Sequence, residues 1–264
     1  MSMLPPGILM VLLAPLLAVL RGRAAQVALV AIPVLSLIHL ITGFDLGDTA
    51  TLSLYGLDLE PVRFDRLSRV WGVVFHLAAI TTAIFSLGVK DKVQHVAALS
   101  YAGSAIAAAF AGDLVSLFVW WELTAVTSVW LVWASRTESA YRAGLRYLII
   151  QVISGVLLLA GVLLRHAAGE GIAFEHLGLT GGLDTTLIFL AFGIKAAFPL
   201  LHPWLEDAYP KATATGTVWM SAFTTKLAIY ALARGFAGTE ILIPIGAAMT
   251  LFPIFFAVIV NDLR

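Results

Sequence analysis

Apolar stretches long enough to cross a membrane recur along almost the whole chain. They fall at about 4–20, 24–43, 65–88, 95–112, 113–134, 142–164, 184–202, 211–234 and 240–260. A bilayer core of about 30 Å is crossed by about 20 helical residues, so each of the nine is a candidate span. The joints are short and leave little chain for a soluble domain. The stretches lack the two-residue alternation of a transmembrane barrel, which excludes that class. Composition agrees: 60% of the 264 residues are hydrophobic and 12% are charged, about half the charge of a soluble domain. The expected fold class is an all-α polytopic membrane protein of about nine transmembrane helices.

Sixteen Lys and Arg balance sixteen Asp and Glu. No basic surface for nucleic acid follows from such a balance. With no cysteine, disulfides, thiolate metal sites, cysteine nucleophiles and cysteine-held iron–sulfur clusters are excluded. No Gly-rich nucleotide loop and no His/Glu cluster of metal spacing is present. Neither a bound cofactor nor a catalytic centre is expected in this chain.

The first stretch has no basic residue before it and Arg21-Gly22-Arg23 after it. A signal peptide carries its charge on the other side, so a retained helix is expected. With nine spans, one face receives Arg21, Arg23, Lys90, Lys92, Arg136, Arg142, Arg146, Lys211 and Arg264; the other receives Arg63, Arg66, Arg69, Arg165 and Arg234. The excess of Lys and Arg marks the cytoplasmic side. The expected orientation therefore has the N-terminus outside and the C-terminus in the cytoplasm, in a bacterial inner membrane. The longest connection, about 44–64, alternates around Gly56 and predicts a short outer hairpin. The fourth stretch is nearly all small residues, which let neighbouring backbones approach closely; its place is inside the bundle.

Three ionisable residues lie deep within spans: Glu122, Lys195 and Lys226. At about 1.5 Å per residue they stand roughly 14, 16 and 12 Å from Asp113, Asp184 and Arg234, near the midplane. Each such charge costs about 2.5–3.5 kcal/mol on insertion scales. A buried ion pair locking helices together would explain one acid and one base. It leaves the second lysine over, whereas a proton relay uses all three.

Pro199 and Pro203 follow Lys195 and predict a broken helix, a feature tolerated where a helix lines a cavity or faces protein. His202, just past that break, is a further relay candidate. His39 and His76 read as core histidines. Gln151 is a candidate for an interhelical hydrogen bond, and Trp120 and Trp121 are expected to pack around Glu122. Ser221, Thr224 and Thr225 would hold water or bond their own helix carbonyls.

Three motifs carry a resemblance. They are Phe-Val-Trp-Trp-Glu-Leu-Thr around Glu122, Phe-Gly-Ile-Lys-Ala-Ala-Phe-Pro-Leu-Leu-His-Pro-Trp-Leu-Glu-Asp-Ala-Tyr-Pro-Lys-Ala around Lys195, and Ser-Ala-Phe-Thr-Thr-Lys-Leu-Ala-Ile-Tyr-Ala-Leu-Ala-Arg around Lys226. In this order they resemble the antiporter-like subunits of respiratory complex I, Mrp-type cation/proton antiporters and membrane-bound hydrogenases. The last motif is closer to the Mrp and hydrogenase branches. The resemblance implies that Glu122 is the fifth-helix glutamate that pairs with the seventh-helix lysine, Lys195. It also makes Lys226 the eighth-helix lysine that continues the relay.

The implied organisation is an N-terminal three-helix segment with its outer loop (1–94), a five-helix proton-channel repeat (95–235) and the start of a second repeat (236–264). Family members have about fourteen helices, so a second chain supplying the other repeat is the expected partner, alongside other membrane subunits and the lipid bilayer. The expected function is proton conduction within a multisubunit antiporter or redox-driven pump. Two alternatives stay open: a secondary transporter of a small anion, and a non-conducting scaffold.

Overall fold

The computed structural model describes residues 4–54 and 56–259. The described residues form helices and a single hairpin. The first expected span is two short helices, α1 (Ile8–Leu13) and α2 (Leu16–Val19). They part at Pro15, whose ring removes a backbone donor. α3 (Gly22–Gly43) follows, then strands β1 (Thr49–Leu54) and β2 (Leu57–Arg63), paired antiparallel as the alternation around Gly56 predicts. Gly56 adopts φ 79°, which glycine reaches without a Cβ penalty.

The remaining long elements are helices: α4 (Arg66–Phe85), α5 (Lys92–Ala109), α6 (Leu114–Trp133), α7 (Glu138–Ala167), α8 (Leu183–Ala196), α9 (Pro203–Ala208), α10 (Ala214–Gly235) and α11 (Leu242–Ile259). Among the described residues, four helices are long and apolar enough to cross a membrane: α3, α4 with its short extension to Gly88, α6 and α7. α8, with 14 residues, reaches only about 21 Å at 1.5 Å per residue and is too short to cross alone. Arg264, counted above with the basic face, lies outside the described residues.

Side-chain caps fix where the helices start. Asp65 and Ser68 form a capping box on α4, and Asp91, Asp113, Thr137 and Thr213 accept backbone N–H bonds at the starts of α5, α6, α7 and α10. α5 lies inside the bundle as its small residues require, with Ala97–Ala109 buried almost throughout. A Cβ on Gly103 would lie 2.7 Å from Gly7 O, so this glycine is what allows the first helices to rest on α5.

The hairpin straps one end of the bundle. Arg63 N–H donates to Phe110 O, Gly112 N–H to Glu60 O and Phe174 N–H to Gly112 O. The Arg63 guanidinium donates to Phe174 O and Gly112 O and pairs with Glu60 at 2.7 Å. β2, the α5–α6 joint and the segment before α8 are thereby held together. At the opposite end Arg136 pairs with Asp91 and Arg146 pairs bidentately with Asp207.

Candidate functional site

α6 supplies three polar side chains to the interior. Trp121, Thr124 and Ser128 are all buried, at the three- and four-residue spacing that puts them on one helix face. α8 faces them with Lys195, which is 0% exposed. The Lys195 ammonium donates to Trp121 O at 2.8 Å and to Thr124 Oγ1 at 3.0 Å, and lies 4.3 Å from the Trp121 ring centroid. The indole N–H of Trp121 donates to Ser154 Oγ, which in turn donates to Ala191 O. Trp121 is thus locked to α7 and α8, and its ring packs on Lys195. Trp120 is half-buried against the core.

Glu122 points toward α7. Its carboxylate lies against Gly155, where a Cβ would overlap Oε1. Glu122 Oε1 is buried and without a hydrogen-bond partner. No Glu122–Lys195 ion pair within 4.0 Å occurs among the described residues. Gln151, one turn before Gly155, is buried with both amide atoms unpartnered, so the interhelical bond expected of it is not made. Buried polar atoms of this kind are ordinarily satisfied by ordered water.

Lys226 departs from the sequence expectation of burial. The buried stripe of α10 runs through Phe223, Thr224, Leu227, Ala228 and Ala231, and position 226 falls off that stripe, exposed on the chain's surface. Among the described residues it makes no ion pair with Glu122 within 4.0 Å.

The helix break is present, but it begins before the prolines. α8 ends at Ala196, and Ala197 adopts φ 62°. Phe198 N–H donates to Gly193 O and Ala197 N–H to Ile194 O, the paired bonds of a Schellman cap. Trp204 Nε1–H also donates to Ile194 O. The carbonyls of Gly193 and Ile194, in the last turn of α8, are therefore taken. Pro199 lies in the irregular segment, and Pro203 opens α9, where a missing N–H costs nothing. Beside the break is a cavity of about 330 Å³ lined by Ala196, Pro199, His202, Glu206, Thr225 and Met249 among others. His202 Nε2 stands 3.3 Å from Glu206. The cavity wall thus includes the chain neighbours of both Lys195 and Lys226.

One set of polar residues was not singled out as a cluster in the sequence. Ser128 and Tyr147 share a hydrogen bond of 2.7 Å, Tyr101 is bonded to Thr224, and Tyr101 and Tyr209 both donate to Met220 O. All are buried. With Thr124 one turn from Ser128, hydroxyls extend from Lys195 across α6 and α7 to α10. Ser221 bonds Val218 O of its own helix, and His76 is a satisfied core histidine between Ser36 Oγ and Gly72 O.

Comparison with known proteins bears on the family and the fold. Residues 111–260 match the family described as NADH:quinone oxidoreductase/Mrp antiporter, transmembrane. The chain is 26% identical over 193 residues to a Na(+)/H(+) antiporter polypeptide of Bacillus subtilis, covering 69% of this chain and 39% of that protein. Among solved structures it superposes on an archaeal membrane-bound sulfane sulfur reductase (TM-score 0.77, 21% identity, 93% of this chain and 56% of the other). It also superposes on the Mrp complex of Dietzia sp. DQ12-45-1b (TM-score 0.76, 22% identity, 86% and 27%). The chain spans well under two thirds of each. With its motifs, helical membrane fold and matched span in agreement, the chain is an integral membrane protein that belongs to the NADH:quinone oxidoreductase/Mrp antiporter transmembrane family.

Proposed function

We propose that this chain conducts protons through Glu122, Lys195 and Lys226 within a larger membrane complex, either a cation/proton antiporter or a redox-driven pump. One observation carries the reading: Lys195 and Glu122 are brought to the same helix interface without being locked in an ion pair. A scaffold would use the pair as a bolt, since direct contact is what repays desolvation. Here the ammonium rests on neutral acceptors, and a carboxylate oxygen is left for water. A proton moves between such groups through water at Glu122 and Gln151 and along the hydroxyls of Thr124, Ser128, Tyr147 and Thr224. His202 and Glu206 sit at the cavity beside the break and would exchange protons with one aqueous face.

Exposed Lys226 and the exposed apolar side chains of α11, among them Ile243, Leu251 and Val258, support a covering chain on this face. An antiporter-like second repeat is the partner proposed. The excess of Lys and Arg at the α2–α3 and α6–α7 joints supports a reading in which that end faces the cytoplasm of a bacterial inner membrane.

Proton uptake by sealed vesicles containing the complex tests the relay. Lys195→Gln and Glu122→Gln should each abolish uptake while the complex still assembles. Normal uptake in either variant overturns the reading. Loss of saturable uptake of one anion in Lys226→Gln, with proton uptake intact, would favour the anion-carrier alternative.

A further inference from the structure

A second cavity, of about 530 Å³, opens at the basic end between α2, the start of α3 and the α4–α5 joint. Its rim holds Arg21, Arg23, Lys90 and Lys92, and no carboxylate lines it. None of the four cations takes part in an ion pair within 4.0 Å among the described residues. Asp91, between the two lysines, is engaged with Arg136 and with the N–H groups of Val93 and Gln94. Lys92 donates one N–H to Ala18 O, which holds its ammonium at the rim.

The start of α3 also points to an anion: it begins here with no side-chain cap on its first N–H groups, the end of a helix that favours negative charge. Below the charged rim the wall is apolar, formed by Leu17, Leu20, Leu29, Leu87 and Val89.

We propose that this cavity binds the phosphate headgroup of an anionic phospholipid, with the upper acyl chain against the apolar wall. A basic pocket between membrane helices is a known kind of lipid-headgroup site. The apolar wall selects a lipid over free phosphate, which has nothing to place there. The site is remote from Lys195, so it would hold α2 and α3 against α5 rather than carry protons.

Native mass spectrometry of the complex, extracted in mild detergent and titrated with phosphatidylglycerol or phosphatidylcholine of matched chains, tests this. Phosphatidylglycerol should be retained selectively. Arg23→Gln with Lys90→Gln should weaken it about 25-fold, taking roughly fivefold for each cation. Arg23→Lys with Lys90→Arg should keep the affinity, and Lys211→Gln, outside the cavity, should leave it unchanged. Equal retention of both lipids by the unaltered protein overturns the proposal without recourse to any variant. So does undiminished selectivity in the double Gln variant. Displacement of the lipid by excess inorganic phosphate would reassign the site to a free anion.

Discussion

Lys195 is held where a charge should not be, and what surrounds it decides what it can do. Two of its three donors are used, on Trp121 O and Thr124 Oγ1, and the Trp121 face lies on another side. Thr124→Val keeps the shape and deletes one acceptor, at a cost of about 1–3 kcal/mol for the stranded donor. It also cuts the first hydroxyl after Lys195, so proton uptake in vesicles should fall at least about tenfold, more than melting would suggest. Gly155→Ala probes the other charge. Its Cβ would meet the end of the flexible Glu122 side chain, so the carboxylate must swing away while the helices stay in place. Uptake should again fall about tenfold or more with little change in thermal unfolding. Both charges were legible because apolar runs expose any ionisable residue at once. The tyrosine and threonine hydroxyls were not, since such groups in helices ordinarily bond their own backbone. Only packing reveals which ones face a neighbour.

At the scale of an element, the broken helix shows what a sequence signals and what it leaves silent. Pro199 and Pro203 announce an interruption, yet the turn is made at Ala197, two residues earlier, by a cap that uses alanine where glycine is usual. No residue type marks that position, so the prolines pulled the expected break late. Left-handed backbone costs an alanine about 1–2 kcal/mol, part of which glycine returns as chain entropy in the unfolded state. Ala197→Gly should therefore stabilise the protein by about 0.5–1 kcal/mol, read as a higher melting temperature in detergent, with proton uptake retained. Ala197→Val should lower it, because a β-branched residue is a poorer fit still.

Over the whole molecule, ion pairs other than that of His202 with Glu206 gather at two ends, each tied across elements distant in sequence. The hairpin was legible from its alternation; its docking onto the α5–α6 joint was not, because β2 and the Arg63 guanidinium meet backbone groups of Phe110 and Gly112, which carry no side-chain signal. Asp65 closes the same end. It caps α4 through Ser68 N–H and pairs with Arg234 of α10 at 2.7 Å. Burial pushes its carboxyl up, but the Arg234 guanidinium and the Ser68 bonds outweigh this and hold it below the usual carboxylate value. A carboxyl lowered in the folded state adds stability that is complete above the unfolded value of about 3.9. That stability disappears as pH falls through the lower folded value. The melting temperature of the unaltered protein should thus exceed that of Asp65→Asn by a constant margin from about pH 7 to pH 5. The margin should shrink below about pH 4, as protonation releases Arg234 in the unaltered protein too. A margin that stays the same down to pH values well below about 4 would mean that the Asp65 charge contributes nothing to joining α4 and α10.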